Sequence, residues 1–152
     1  KMEILEKDKN LIVGFTGTQT GMTLEQEKAF TKLIKELKPS EFRHGDCVGS
    51  DFQAHIIGKK LGIRIVVHPP LNSVKRAGAP EPDEIMPKKE YLERNRDIVD
   101  ASDILIATPE SKEGAHRSGT WATVRYAMRE KKPVILIFPD GTVEMREEGK
   151  YE

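Results

Sequence analysis

The chain has 152 residues, a length that predicts one domain with a buried core. Its 25 Lys and Arg residues balance 25 Asp and Glu residues, so it lacks the overall positive charge on which non-specific nucleic-acid binding depends. The single cysteine, Cys47, excludes an intramolecular disulfide and is typical of a reducing compartment. No apolar stretch is long enough to span a membrane. We therefore expect a cytoplasmic protein without a membrane partner, and the charge balance argues against a nucleic-acid partner.

The first unit is a strand, a loop of glycines and hydroxyls, and a helix. Residues 11–15 (LIVGF) are apolar, and residues 16–22 (TGTQTGM) follow as the loop. Thr23 and Gln26 form a predicted capping box, and Lys38 and Pro39 end the helix. This order is typical of a phosphate-binding turn, but the spacing is neither GxGxxG nor a Walker A motif. The glycines could equally serve the turn alone.

Two further strands follow, at residues 41–44 (EFRH) and 64–68 (RIVVH). Between them lie a small polar loop, residues 45–51 (GDCVGSD), and a helix that ends at Gly62. The predicted apolar face of that helix comprises Phe52, Ile56, Ile57 and Leu61.

A proline-rich segment, residues 69–87, interrupts the alternation of strands and helices. A loop of this length in a small domain is usually a lid, a binding loop or disordered. Its Lys75 and Arg76 could contact a ligand or could be solvated surface charges.

The last part contains a helix at residues 91–101, a strand at 104–107 and a final loop, helix and strand within residues 113–141. Ser118, Gly119 and Thr120 open that final helix and leave its first N–H groups available, which favours an anion such as phosphate. Residues 134–138 (VILIF) have no polar alternation, which predicts a strand buried on both faces.

Alternating strands and helices with short connections predict a parallel sheet with helices on both faces. We therefore predict an α/β fold over residues 1–152: a single Rossmann-like, doubly wound domain. Residues 1–10 would form an arm, and residues 142–152 a charged tail without an evident role.

Ligands of such sheets bind beyond the carboxyl ends of the strands, where the strand order reverses. There, backbone N–H groups and hydroxyls would hold phosphate, Asp46 or Asp51 would accept from a ribose, and Arg94 and Arg96 would clamp phosphate. Alternatively, Asp51 only caps its helix and Asp46 only bonds its own backbone. The predicted ligand-binding residues are Thr16, Gly17, Thr18, Gly45, Asp46, Asp51, His68, Arg94, Arg96, Arg117, Ser118, Gly119 and Thr120.

Two other kinds of site could involve the loop at residues 45–51. His44, Asp46, Cys47 and His68 could share a metal, but their spacing matches no strong zinc pattern. Cys47 could act as a nucleophile beside His44, although most lone cysteines are inert packing residues. We predict neither a metal nor a cofactor, and name no catalytic residue.

Four segments resemble the SLOG superfamily of Rossmann-like nucleotide-binding proteins. They are GFTGT at residues 14–18, HGDCVGSD at 44–51, RNRDIVDASDILIATP at 94–109 and SGTWATVRYA at 118–127. The superfamily includes lonely-guy cytokinin phosphoribohydrolases, DprA-type DNA-processing proteins and molybdenum-cofactor carriers. The resemblance covers residues 11–141 and implies a nucleotide-derived ligand and a homo-oligomer. Trp121 and Tyr126 could help to form a helical interface, although Trp121 could equally pack in the core.

One departure from the family pattern bears on activity. The hydrolases carry a glutamate four positions after the turn glycine, and this chain has Thr123 there. A threonine supplies no carboxylate for glycosidic cleavage. We therefore predict binding of a nucleotide or nucleotide-derived small molecule, in sensing, carriage or sequestration, without hydrolysis. Alternatives are an N-glycosidase that uses Glu110 or Glu113 instead, and a single-stranded DNA-binding processing protein.

Overall fold

The computed structural model describes residues 10–112 and 118–147. These residues form seven strands and four helices. In chain order the elements are β1 (Ile12–Gly17), α1 (Leu24–Leu37), β2 (Glu41–His44), α2 (Ser50–Lys60), β3 (Arg64–Val67), β4 (Glu84–Ile85), α3 (Tyr91–Asp100), β5 (Ile104–Thr108), α4 (Gly119–Arg129), β6 (Val134–Ile137) and β7 (Val143–Arg146).

The strands form one sheet in the order β4-β3-β2-β1-β5-β6-β7. All neighbours are parallel except β6 and β7. The order runs outward in both directions from β1, so the switch point lies between β1 and β5. The α/β Rossmann-like fold predicted from the alternating pattern is confirmed.

Two apolar clusters cover the two faces of the sheet. Phe15, Phe30 and Phe42 pack together on the face of α1 and α2, with ring centroids 5.3–5.8 Å apart. The opposite face joins Leu105 and Leu136 to the apolar stripe of α4. This arrangement aligns the loops after β1, β2, β3 and β5 along one edge of the sheet.

Five strands lie where the sequence predicted them, and two lie elsewhere. β4 is a two-residue strand inside the proline-rich segment, where it pairs with β3. β7 lies in the predicted charged tail and runs antiparallel to β6, with Val143 opposite Ile137. β7 was not predicted because charged residues alternate with apolar ones along it, a pattern that an edge strand tolerates since one of its faces is in solvent.

The capping box of α1 is confirmed: the Thr23 hydroxyl accepts from the Gln26 N–H, and the Gln26 side chain accepts from the Thr23 N–H. The predicted apolar face of α2 is wrong. Phe52 is 39% exposed and Leu61 38%, whereas the buried residues of α2 are Ser50, Asp51, Ala54, His55 and Gly58. A face of small and polar residues has no hydrophobic periodicity by which it could be recognised.

Candidate functional site

Six of the predicted ligand-binding residues come together at the carboxyl edge of the sheet. Around them lies a void of only about 20 Å³, enough for roughly one water molecule. The predicted residues among its lining are Thr16, Gly17, Thr18, Gly45, Asp51 and Arg94. A Cβ on Gly17 would lie 2.5 Å from both Ser50 Cβ and Thr108 Oγ1, so glycine is required for this close packing. The cluster is therefore too tightly packed to hold a nucleotide in this conformation.

Arg94 explains much of that packing. Its side chain is 3% exposed, and Nη1 donates to the carbonyl oxygens of Gly45 at 2.7 Å and His68 at 3.1 Å. Nε donates to Asn95 Oδ1 at 2.7 Å, and Nη2 contacts Cys47 Sγ at 3.7 Å. The guanidinium thus joins the ends of β2 and β3 to α3, and its rigid fork of donors suits backbone carbonyls.

Asp51 is the buried anion beside Arg94. Its Oδ2 accepts from the Cys47 N–H at 3.1 Å, in the loop that precedes α2. Burial raises the pKa of Asp51 to about 6, although Arg94 and the N–H donors act in the opposite direction. The Asp51 carboxylate is thus bonded to the backbone of the loop between β2 and α2.

Asp46 fastens the proline-rich segment to the β2–α2 turn. Its Oδ2 accepts from Arg76 Nε at 3.0 Å and its Oδ1 from the Ala79 N–H at 2.9 Å, while its carbonyl accepts from the Ala77 N–H at 2.8 Å. Both carboxylate oxygens are thus engaged inside the protein. Asp46 has a φ of 52°, in the left-handed region that aspartate tolerates better than most residues.

A buried pair of histidines continues this network. His44 Nδ1 accepts from the Asp46 N–H at 2.9 Å, and the His44 and His55 rings are joined by a 2.8 Å bond between Nε2 and Nδ1. His55 Nε2 lies 2.7 Å from the Pro80 carbonyl oxygen, to which it must donate. This sequence of bonds requires both rings to be neutral. Burial, and next the neighbouring His55, hold the pKa of His44 well below its usual value.

His68 and Arg96 lie outside the cluster. His68 Nε2 lies 3.1 Å from Arg43 Nη1, and burial together with Arg43 lowers the pKa of His68 to about 4. Arg96 is exposed on α3, where its guanidinium lies 5.1 Å from the centroid of the Tyr126 ring. Neither residue lines the void of about 20 Å³ beside Gly17 and Gly45.

The start of α4 is capped and packed by side chains of the protein itself. The Ser118 hydroxyl caps the helix by accepting from the Trp121 N–H at 3.2 Å. A Cβ on Gly119 would collide with the Tyr91 hydroxyl, so Tyr91 lies directly against this helix end. The predicted Arg117 and the alternative acid Glu113 fall outside the described residues.

Thr123, the residue at the position of the family glutamate, is bonded within its own helix. Its hydroxyl donates to the Gly119 carbonyl oxygen at 2.9 Å, within its own helix, and the residue is buried. The other alternative acid, Glu110, accepts from the Thr20 hydroxyl at 3.1 Å and thereby ties the loop after β5 to the loop after β1.

A much larger cavity, of about 600 Å³, opens beside the crowded cluster. It lies between the loops after β1, β2 and β3 and the start of α3, and its volume is in the range of small-molecule sites. The lining residues are Gln19, Cys47, Pro70, Leu71, Asn72, Lys75, Glu90 and Tyr91. Of these residues, only Lys75 is a possible ligand contact predicted from the sequence. Four of the lining residues belong to the long proline-rich segment, which is the one feature of the sequence that indicated a binding loop here.

Cys47 lines this cavity with a buried thiol. Burial, and next the carboxylate of Asp51, raise the pKa of Cys47, which disfavours the reactive thiolate. Across residues 10–112 and 118–147, no three His, Cys, Asp or Glu side chains are grouped closely enough to hold a metal ion. Nor does that part of the chain contain a helix of the length and apolarity needed to cross a bilayer.

Comparison with known proteins identifies structural neighbours only. No family model matches the chain, and no curated protein matches it. A molybdenum cofactor binding protein from Rippkaea orientalis aligns with a TM-score of 0.66 and 24% identity, over 86% of this chain and 77% of that one. The Moco carrier protein from Chlamydomonas reinhardtii aligns with a TM-score of 0.63 and 22% identity, over 84% and 76%.

A second kind of neighbour is DNA processing protein A (DprA) from Streptococcus pneumoniae. It aligns with a TM-score of 0.66 and 17% identity over 90% of this chain, which spans about half (52%) of that protein. Molybdenum-cofactor carriers and DprA are among the proteins expected from the SLOG resemblance. At these identities the likeness establishes the fold: the chain has the Rossmann-like fold of the molybdenum-cofactor carriers and of DprA.

Proposed function

We propose that the protein binds a nucleotide or nucleotide-derived small molecule and does not hydrolyse it. The observation that carries the proposal is the cavity of about 600 Å³ at the carboxyl edge of the parallel sheet. Open α/β sheets bind their ligands at this edge. The apolar walls of the cavity are formed by Pro70, Leu71 and the Tyr91 ring. Its hydrogen-bonding groups belong to Lys75, Asn72 and Gln19.

The two halves of such a ligand would occupy different surroundings. A planar base matches the apolar walls of the cavity, whereas a phosphate matches the N–H groups of Gly119 and Thr120 at the start of α4. Tyr91 lines the cavity and also lies against Gly119, so it connects the two places. The neighbouring proteins from Rippkaea orientalis and Chlamydomonas reinhardtii bind or carry a small molecule, the molybdenum cofactor, which supports the same interpretation.

The proposal that the ligand is not hydrolysed is supported by two residues near this region. The hydroxyl of Thr123, at the position of the family glutamate, is bonded within α4, and the carboxylate of Glu110 is bonded to Thr20.

The first experiment is mass spectrometry of small molecules released from the denatured, freshly purified protein. Calorimetric titration with nucleoside monophosphates then tests direct binding. Leu71→Trp would fill the cavity and is expected to lower affinity about tenfold or more. Leu24→Trp is the matched control, because Leu24 is similarly exposed at the start of α1 but does not line the cavity. Equal affinity of the two variants would refute a site in the cavity.

We also propose a homo-oligomer, since this is what the SLOG resemblance implies, and a cytoplasmic location, which the single cysteine favours. Trp121 is only 4% exposed and packs in the core, so it is not available for an interface as the sequence suggested. Tyr126 remains on the surface between Arg96 and Arg129, which stack on its ring at 5.1 and 5.9 Å. Light scattering at micromolar concentration tests the assembly, and a monomeric mass would contradict it.

A further inference from the structure

The buried pair of His44 and His55 is a titratable group that ligand binding does not explain. His44 ends β2, His55 lies in the middle of α2, and both side chains are fully buried. Buried polar atoms are costly unless each has a hydrogen-bonding partner. All four ring nitrogens have one, because the two rings bond each other and their outer nitrogens bond backbone groups of Asp46 and Pro80.

These bonds fix the proton on each ring. A carbonyl oxygen only accepts, so His55 Nε2 carries a proton for the Pro80 carbonyl and His55 Nδ1 is an acceptor. His44 Nε2 must then donate to it, which leaves His44 Nδ1 to accept from the Asp46 N–H. A proton added to either ring turns one acceptor into a donor, and one bond of the series is lost.

The same bonds connect the β2–α2 turn to the proline-rich segment, residues 69–87. The N–H of Asp46 donates to His44, while its carbonyl and Oδ1 accept from the N–H groups of Ala77 and Ala79 at 2.8 and 2.9 Å. Pro80 follows directly, and its carbonyl oxygen lies 2.7 Å from His55 Nε2. The histidine pair therefore holds residues 77–80 to the turn through two contacts.

No anion is placed to neutralise a positive charge on the pair. Throughout residues 10–112 and 118–147, no carboxylate is hydrogen-bonded to either ring. The two carboxylates nearest along the chain are already bonded, Asp46 to Arg76 at 3.0 Å and Asp51 to the Cys47 N–H at 3.1 Å. A protonated ring would thus be a buried charge without a partner.

The surrounding cations also oppose protonation. Burial is the main reason that the pKa of His44 lies well below its usual value, and His68, after β3, and Arg94, on α3, lower it further. Lys59, one turn after the second histidine in α2, donates to the Glu81 carbonyl oxygen at 2.8 Å and adds a cation at this part of the segment. The bonded arrangement therefore requires a neutral pair.

We propose that the His44–His55 pair is an acid-sensitive switch, which holds residues 77–80 to the β2–α2 turn while both rings are neutral and releases them when a ring is protonated. The proline-rich segment also supplies Pro70, Leu71, Asn72 and Lys75 to the wall of the large cavity, so release opens the cavity on that side. This inference goes beyond the proposed function, and its tests need no ligand.

Release becomes easier as pH falls. Histidine side chains freed from their partners take up protons near a pKa of about 6.5, whereas the bonded pair loses a bond on protonation. The bonded form is therefore fully favoured above pH 6.5, and its advantage is lost progressively below that value. Between pH 7.5 and 5.5 the equilibrium constant for release should rise about tenfold for each proton taken up.

Hydrogen exchange of single amides, followed by NMR on the full chain at pH 7.5 and 5.5, measures this release. The N–H groups of Ala77 and Ala79 donate to Asp46 across the joint. After correction for the intrinsic exchange rate, we expect their protection factors to fall about tenfold or more between the two pH values. Protection factors that stay constant would refute the switch.

His55→Gln keeps a donor for the Pro80 carbonyl oxygen but carries no charge at any pH. The fall in protection at the same two amides should be about tenfold smaller than in the wild type, because one titrating ring is lost. His68→Gln is the matched control: His68 contacts Arg43 at 3.1 Å and is not bonded to the pair, so the full fall should remain. A full fall in His55→Gln, or its loss in His68→Gln, would contradict the assignment to the pair.

The ring protons of the wild type give a test that needs no variant and stands even if His55→Gln does not fold. Two-bond proton–nitrogen correlation spectra at pH 7.5 distinguish the two neutral forms of each ring. We expect the proton on Nε2 in both His44 and His55. A proton on Nδ1 of His55 would leave the Pro80 carbonyl oxygen without its donor and would overturn the proposal.

Discussion

Two regions of the protein differ in whether their polar side chains are bonded inside the protein. They are the β2–α2 turn, residues 44–51, and the wall of the cavity of about 600 Å³. In the turn, the side chains of His44 and Asp46 are committed to partners inside the protein. At the cavity wall, Glu90 is exposed and has no bonded side-chain partner among residues 10–112 and 118–147, and Lys75 donates to Gln19 Oε1 at 3.0 Å. Buried polar groups must find partners because leaving them unpaired is costly, whereas groups at a ligand site can wait for the ligand. We infer that the turn is scaffold and that the cavity wall is the recognising surface.

The largest expected effect comes from removing the cation of the scaffold. Arg94→Met would leave the carbonyls of Gly45 and His68 without their donor and Asp51 as an uncompensated buried charge. We expect the free energy of unfolding to fall by about 3–5 kcal/mol, measured by urea denaturation.

Arg96→Met is the control for Arg94→Met. Arg96 is exposed on the same helix and stacks only on Tyr126, so we expect a loss below about 1 kcal/mol. If Arg94→Met unfolded like the wild type but lost ligand affinity, Arg94 would be a ligand clamp and the comparison of the two regions would fail.

A second, smaller effect is acid sensitivity of the same scaffold. Folded-state pKa values of His44 and His68 lie below 6.5, that of His68 at about 4, so the unfolded chain takes up protons first as pH falls below 6.5. Each of these two histidines lowers the free energy of unfolding by up to about 1.4 kcal/mol for each pH unit of acidification in that range. Asp51 acts in the opposite direction, because its raised pKa of about 6 lets the folded state bind a proton first between pH 6 and 3.8.

The two histidines outweigh the single carboxyl group between pH 7 and 5.5. We therefore expect the free energy of unfolding to fall by about 1–2 kcal/mol over this interval. Urea denaturation at closely spaced pH values measures it, with His68→Asn predicted to reduce the slope by about half. Stability that is constant or rises on acidification would show that the buried histidines do not remain neutral.

The third prediction concerns the cavity wall. Lys75→Met should lower the affinity for nucleoside monophosphates about tenfold by removing a charged donor, while the free energy of unfolding changes by less than about 0.5 kcal/mol. Lys60→Met, on the exposed end of α2, is the control for loss of a positive charge. Calorimetry and urea denaturation on both variants give the two quantities. A large loss of stability in Lys75→Met would place Lys75 with the scaffold.

The fold was predictable because the central strands are apolar runs, as at residues 134–137, and because two of the helices begin with capping side chains, such as Thr23 in α1. The site was only partly predictable. Composition shows that residues 45–51 are polar and close to a strand end, but not whether their partners are internal. Asp46 bonds to Arg76 and Ala79, about 30 positions later in a segment without periodicity, and such a pairing leaves no trace in local sequence. Glu90 and Tyr91 were missed because their role depends on where α3 begins relative to three separate loops.

The smallest expected effect is at Thr123, where hydrolases of the resembling family carry a glutamate. Its hydroxyl bonds to the Gly119 carbonyl within α4, and that carbonyl can keep its helical partner without it. Thr123→Val should therefore change ligand affinity less than about twofold and stability by about 1 kcal/mol at most. Incubation of the wild type and this variant with nucleoside monophosphates, followed by chromatography, should show no multiple-turnover release of free base from either. A positioned acid or base is commonly worth about 10²–10⁴ in rate, so hydrolysis by a relocated carboxylate would be evident in this assay. Release by both proteins that Glu110→Gln abolishes would identify Glu110 as that acid and overturn binding without cleavage.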